Sequence, residues 1–112
     1  MATKYDLEIT QGTRYYVRLE AVNDDGTPID LNSYALSGQV RHQFGSSGIL
    51  LNLPLTAVPD FEESGYFDLI IPAGTAADLP VVKAVYDIEI VSGNNTTQLI
   101  YGYFNVYPEV TR

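Results

Sequence analysis

The chain has 112 residues, with 14 Asp plus Glu against 6 Lys plus Arg, and a formal net charge of −8. A charge of this sign repels phosphate backbones and anionic lipid headgroups, so we expect neither nucleic-acid nor membrane-surface binding. Cysteine is absent, which removes disulfides, thiolate metal sites and cysteine nucleophiles. A chain of this length buries one core without such bridges, and we predict a single domain over residues 1–112.

The amino-terminal residues have neither the apolar segment nor the cleavage site of a secretory leader. We therefore expect a soluble chain made in the cytoplasm. Nine Tyr, four Phe and no Trp give a tyrosine-rich aromatic set, which suits strands whose rings are half-buried.

Alternation of apolar and polar residues predicts strands along most of the chain. The first covers 5–9, with Tyr5, Leu7 and Ile9 on one face. Further strands are predicted over 13–22, 35–44, 49–53 and 65–71. Pro54 follows the strand 49–53 and indicates that this strand lies at a sheet edge or ends there. The segment 56–63 is predicted to be a loop.

The central strand is predicted over 81–91, where Tyr86, Ile88 and Ile90 share one face. A short crossing segment, 72–80, precedes it, and Tyr86 near this corner is similar to the tyrosine corner of immunoglobulin-like sandwiches. A turn at 92–95 leads into a last strand over 97–107, so the two strands are predicted to form a hairpin. Gly38 lies on the inner row of its strand, which indicates a bulge or a close backbone approach.

About seven short strands, separated by turn signals and without a long amphipathic helix, are typical of an antiparallel sandwich or small barrel. We predict an immunoglobulin-like antiparallel β-sandwich. The predicted core is Leu7, Ile9, Val17, Leu19, Val40, Leu69, Tyr86, Ile88, Ile90, Phe104 and Val106.

No residue pattern points to catalysis, a metal or a cofactor. His42 has no sequence partner for acid–base or metal chemistry. The acidic pair Asp24-Asp25, with Asp30, lacks the spacing of a calcium loop and is better explained by turn chemistry. Asp60, Glu62 and Glu63 are interpreted as a solvated loop. We therefore predict a protein that is not an enzyme and has no cofactor.

The tyrosines are the best candidates for an interaction surface. Tyr16, Tyr101 and Tyr103 are candidates for a subunit contact or a sugar-stacking face, although core and cross-strand packing is the more common use of such residues.

Three parts of the sequence, taken in order, resemble a family of short virion structural proteins of tailed bacteriophages, including those of cyanobacterial phages. They are residues 5–13, residues 25–31 with 39–41, and residues 85–90 with the closing 106–112. The opening Ile9-Thr10-Gln11-Gly12 and the closing Pro108-Glu109-Val110-Thr111-Arg112 are the more specific motifs. The resemblance supplies no catalytic residues.

The resemblance implies a structural component of the virion, which acts as an assembly or attachment module in the tail or baseplate or on the capsid, with the tail preferred. Its expected partners are other virion proteins and repeated copies of itself, in a homo-oligomer or on a repeating surface. A carbohydrate-binding module that contacts the host surface is the alternative, and a small hydrolase is a third class.

Overall fold

The computed structural model describes residues 3–23, 25–43, 48–59 and 64–108. Within these ranges it contains nine strands: β1 (Thr3–Lys4), β2 (Leu7–Thr10), β3 (Tyr15–Glu20), β4 (Ala35–Arg41), β5 (Leu51–Asn52), β6 (Leu55–Ala57), β7 (Tyr66–Ile71), β8 (Val82–Ser92) and β9 (Asn95–Tyr107). A short helix, α1 (Ala73–Ala77), and a 3-10 turn at Leu31–Ser33 complete the described elements.

The strands form two sheets. The larger sheet has the order β1, β9, β8, β4, β5, and β2 pairs with β9 beside β1. The smaller sheet has the order β3, β7, β6. Helix α1 carries the chain from β7 in the smaller sheet to β8 in the larger one, which confirms the predicted crossing before the central strand.

The core lies between the sheets. Nine of the eleven predicted core residues are buried, among them Tyr86, Ile88 and Phe104. Val17 and Leu19 depart from the prediction, because they are only partly buried against this core. Both belong to β3, which is an edge strand of the smaller sheet, so one side of each side chain has no neighbouring strand to cover it.

The amino-terminal strand differs most from its prediction. The residues 5–9 do not form one strand, because Tyr5 and Asp6 interrupt it between β1 and β2. Tyr5 consequently lies outside the core and is 44% exposed. Both short strands pair with β9 in parallel, and the register is kept across the break, since Thr3 faces Ile100 and Leu7 faces Phe104.

The structure has nine strands where about seven were predicted, and the difference has two local causes. The first predicted strand is divided, and β6 lies in a segment that was predicted to be a loop. The chain leaves the larger sheet after β5 and enters the smaller one at β6, with Pro54 between them. Strand β5 is at a sheet edge, as its proline predicted, and it is only two residues long.

Two glycines allow close approaches that the fold requires. A Cβ on Gly38 would lie 2.9 Å from Cδ1 of Leu53, so the close approach at this inward position is made by a side chain. A Cβ on Gly102, in β9, would lie 2.5 Å from the carbonyl oxygen of Tyr5 and 2.8 Å from Oδ1 of Asp6. The break between β1 and β2 therefore lies directly against Gly102.

Gly102→Ala is expected to lower the free energy of unfolding by at least about 2 kcal/mol, because the added methyl group meets backbone that no rotamer change can move. Gly74→Ala is the matched control. Nothing lies within 4 Å of a Cβ built on Gly74, and this residue is in α1, where alanine stabilises a helix by about 1 kcal/mol relative to glycine. Urea unfolding measures both variants. Equal stabilities for the two variants would contradict the close approach at Gly102.

Candidate functional site

The candidate site is the outer face of the larger sheet around Tyr103. On β9 the residues Ile100, Gly102, Phe104 and Val106 are buried, so the alternate residues point outward. Tyr101 is half-buried on this outer face, and Tyr103 is 38% exposed. The structure therefore brings these two predicted interface residues together on one strand.

Both lysines of the chain lie over the ring of Tyr103. The Nζ atom of Lys83 is 4.3 Å from the ring centroid, and the Nζ atom of Lys4 is 5.5 Å from it. Lys83 comes from β8, where its neighbour Val85 faces Tyr103, and Lys4 comes from β1, where it faces Tyr101. Ammonium groups at these distances are attracted by the negative face of the ring, and they form a cationic patch on a chain whose net charge is −8.

The position of Lys4 depends on how the break between β1 and β2 is held. The Tyr5 amide donates to the Tyr101 carbonyl at 2.8 Å, and the Tyr103 amide donates to Oδ1 of Asp6 at 3.0 Å. The hydroxyl of buried Tyr86 donates to the carbonyl of Tyr5. Burial raises the pKa of this hydroxyl, and the nearby Tyr15, Tyr5 and Asp6 add to the shift. Tyr86 thus does not bond to residues just upstream, as a tyrosine corner does, but fixes the amino-terminal segment.

The charge on this face changes sign along the sheet. Asp87 faces Tyr101, and its Oδ2 accepts from Nε2 of Gln98 at 3.3 Å. Partial burial raises the pKa of the Glu89 carboxyl, and the charge of Asp87 raises it further. An acidic region therefore adjoins the cationic patch on the same outer face.

A shallow cavity of about 530 Å³ lies beside Tyr103 on this face. Its lining includes the side chains of Lys83, Asn105 and Tyr107. Tyr107 is 47% exposed, so the cavity offers an aromatic ring, an amide and an ammonium group to solvent.

Tyr16 is not part of this surface. It lies on β3 and points to the outer face of the smaller sheet, on the opposite side of the sandwich. There its hydroxyl donates to Oδ1 of Asp68 at 3.2 Å, and the Arg18 guanidinium donates to both carboxylate oxygens of Asp68, at 2.8 and 3.2 Å. The bonds from Arg18 lower the pKa of the Asp68 carboxyl.

The other sequence candidates have ordinary surroundings or lie outside the described residues. Oδ1 of Asp25 accepts from the Thr27 amide at 3.0 Å and from its hydroxyl at 2.7 Å, and Asp30 accepts from the Asn32 amide at 2.9 Å. The turn interpretation of these two residues is therefore confirmed. His42 is exposed. Asp24, Asp60, Glu62 and Glu63 lie outside the described residues.

No group of three or more His, Asp or Glu side chains suited to a metal ion occurs in the described ranges. Across the same ranges, no helix is long and apolar enough to cross a bilayer.

Comparison with solved structures identifies the fold. A crystal structure of a chicken TCR matches with a TM-score of 0.53 at 18% sequence identity. The chain has an immunoglobulin-like fold. The match covers 95% of this chain and 54% of the TCR chain, so the protein spans about half the length of that neighbour. No family model and no curated protein matches the sequence.

Tyr86→Phe is expected to lower the free energy of unfolding by about 1–3 kcal/mol at neutral pH, because the Tyr5 carbonyl loses its donor. The pKa of Tyr86 is raised on folding, so this contribution is complete below the pKa of an unfolded tyrosine, about 10, and is lost as the pH rises above it. The difference in stability between wild type and variant should therefore shrink in alkaline solution.

Chemical denaturation at a series of pH values checks this result. Tyr34→Phe removes the hydroxyl of a 37% exposed tyrosine and should change stability by less than about 0.5 kcal/mol at neutral pH. A Tyr86→Phe variant as stable as the Tyr34→Phe control would show that the bond to Tyr5 contributes nothing.

Proposed function

We propose that the protein is a non-enzymatic structural component of a tailed-bacteriophage virion and docks through the outer face of its larger sheet. It is made in the host cytoplasm and acts as an assembly or attachment module in the tail or baseplate, or on the capsid. The resemblance of its opening and closing motifs to short virion proteins supports the assignment to a virion. The two lysines over Tyr103 support the docking face.

The composition of this face favours a protein partner. Aromatic side chains are enriched in protein interfaces, and tyrosine is among the residues that carry most of the binding energy. Tyr103 and Tyr101 would form the centre of such a contact, and Lys4 and Lys83 its charged border. A partner that presents carboxylates to the lysines would be oriented by the change of sign across the face.

Repetition in a particle would make a modest contact sufficient. When many copies bind a repeating surface, each contact raises the effective concentration of its neighbours, so the assembly binds more tightly than one module does. A single domain with one aromatic patch fits this arrangement without a large interface. Other virion proteins are therefore the proposed partners.

Tyr103→Ala is expected to reduce incorporation into particles by at least about tenfold, because truncation of a central interface tyrosine costs about 2 kcal/mol or more. Tyr34→Ala is the matched control, since Tyr34 is 37% exposed against 38% for Tyr103. It precedes Ala35, which pairs with Val91 at the opposite end of β8 from Lys83. Mass spectrometry of purified virions from complemented infections measures the copy number of each variant. Absence of the wild-type protein from virions would refute the virion assignment. Equal incorporation of Tyr103→Ala and Tyr34→Ala would refute docking through the outer face of the larger sheet.

The cavity beside Tyr103 favours a second candidate function, binding of a host-surface carbohydrate. Tyr107 and Asn105 offer a stacking ring and an amide, which is the usual pairing in sugar sites. The lysines over Tyr103 and the adjoining carboxylates of Asp87 and Glu89 suit a charged protein surface better than a neutral sugar, which is why protein docking is preferred.

Calorimetric titration with purified host-surface polysaccharide tests this alternative. If the protein binds sugar, the heat of binding should appear with wild type and be lost in Tyr107→Ala, which leaves the lysines and Tyr103 in place. No heat from the wild-type protein at millimolar sugar would exclude the carbohydrate function.

A further inference from the structure

The edge of β3 is the part of the fold whose backbone is left open. β3 pairs with β7 on one side, and in the portion of the chain that the structure describes no strand pairs with its other side. An open edge of six residues is a template for a further strand, and proteins normally cover or use such an edge.

Hydrogen bonds along the ladder between β3 and β7 show which backbone amides and carbonyls of β3 point to the open edge. The Ala21 amide donates to the Gly65 carbonyl at 2.8 Å, so odd-numbered residues of this ladder bond to β7. The even-numbered residues Tyr16, Arg18 and Glu20 therefore turn their amides and carbonyls to the open edge.

Bonds on the far side of β7 agree with this alternation. The Tyr66 carbonyl accepts from the Val58 amide at 3.1 Å, and the Ile70 amide donates to the Pro54 carbonyl at 3.3 Å. Tyr66 faces Glu20 and Ile70 faces Tyr16 in the ladder between β3 and β7. Since the backbones of Tyr66 and Ile70 bond on the β6 side, they do not bond to Glu20 and Tyr16. The backbones of these two β3 residues therefore point to the open edge.

We propose that a second copy of this chain adds its own β3 to this edge, antiparallel, around a twofold axis at Val17. The backbone limits the possible registers, because edge-facing residues must pair with edge-facing residues and side chains must stay on matching faces. An axis at any interior residue of β3 meets this condition. An axis at Tyr16 would oppose Arg14 to Arg18, so Val17, Arg18 and Leu19 remain, and charge decides among them.

The axis at Val17 gives the best set of cross-strand pairs. It places Arg14 opposite Glu20 of the second copy and Tyr16 opposite Arg18 of the second copy, and the symmetry repeats both pairs. Opposite charges and an arginine beside an aromatic ring are favourable across strands. Arg14 already lies 5.5 Å from the ring centroid of Tyr16, so the same residue types attract within one copy.

The other two axes are less favourable. An axis at Arg18 would oppose two arginines directly, which destabilises a strand pair. An axis at Leu19 does place Arg18 opposite Glu20, but it leaves Tyr15 and Tyr16 of β3 opposite residues beyond the end of the strand. The Val17 axis keeps residues 15–19 paired and adds the two outer ion pairs.

An apolar cleft at this edge would be covered by the same pairing. A cavity of about 200 Å³ opens beside β3, and its lining includes Tyr5, Leu19 and Val22. Tyr5 and Val22 are 44% and 36% exposed. In the proposed register Tyr15 of the second copy faces Leu19, so an aromatic ring would arrive at the mouth of this cleft. The pairing is a property of the isolated chain, and its failure would leave the virion proposal intact.

Cysteine cross-linking tests the register, because the chain has no cysteine of its own. Odd-numbered residues do not bond across the proposed ladder, and in such pairs the Cα atoms are about 4.5 Å apart, which suits a disulfide. Val17→Cys should therefore give a covalent dimer on mild oxidation, seen on a non-reducing gel. Leu19→Cys is the matched control, since its two copies would be about 13 Å apart and should stay uncross-linked.

A charge exchange supplies the second measurement. Sedimentation should show that the wild-type protein forms a dimer. Glu20→Arg should raise the dissociation constant of this dimer by at least about tenfold, because it places two arginines opposite each other. The double variant Arg14→Glu with Glu20→Arg should restore the dimer, and its net charge of −8 is unchanged. Cross-linking of Leu19→Cys in place of Val17→Cys would overturn the register. A monomer at high concentration without cross-linking of Val17→Cys would overturn the proposal.

Discussion

The contact on which most of this structure depends is the one between the amino-terminal break and Gly102. The carbonyl of Tyr5 approaches β9 at a residue without a Cβ and accepts the hydroxyl of buried Tyr86. Asp6 turns its carboxylate to the amide of Tyr103 in the same region. These interactions hold a strand at the sheet edge in parallel with β9, and each of them needs a partner that is distant in sequence.

This one contact has opposite consequences for the two sheets. The larger sheet gains β1 and β2, and with β1 it gains Lys4 beside Tyr103. The smaller sheet gains nothing at β3, so Val17 and Leu19 remain partly exposed there. Because a short strand can bond to only one of the two sheets, the amino-terminal segment that completes one edge leaves the other edge open.

The two outer faces of the sandwich consequently differ in chemistry. The larger sheet presents Tyr103 under two lysines, next to Asp87 and Glu89. The smaller sheet presents an arginine–carboxylate pair between Arg18 and Asp68, joined by Tyr16. Exposed pairs of this kind add little stability, so their main effect is on which surfaces attract each other. The immunoglobulin-like fold is compatible with many functions, so the function of this protein depends on the side chains of its two outer faces.

Local sequence pattern was enough to predict several features of the fold. Alternation placed Ile88, Ile90 and Phe104 in the core, and turn chemistry placed the hairpin between β8 and β9. It also identified Tyr101 and Tyr103 as neighbours on one strand. Each of these follows from residues two to four positions apart, where the period of a strand or the dihedral preference of a turn acts directly.

Features that depend on partners far apart in the chain could not be predicted in this way. The alternation of 5–9 could not show that Tyr5 leaves the core, because the cause is Gly102, which is far along the chain. It could not separate Tyr16 from Tyr103, since the sheet to which each strand belongs is set by pairing. The bulge at Leu99, which buries Leu99 and Ile100 together, likewise breaks the local period. Lys4 and Lys83 meet over one ring because β1 and β8 flank β9, and no local pattern encodes that meeting.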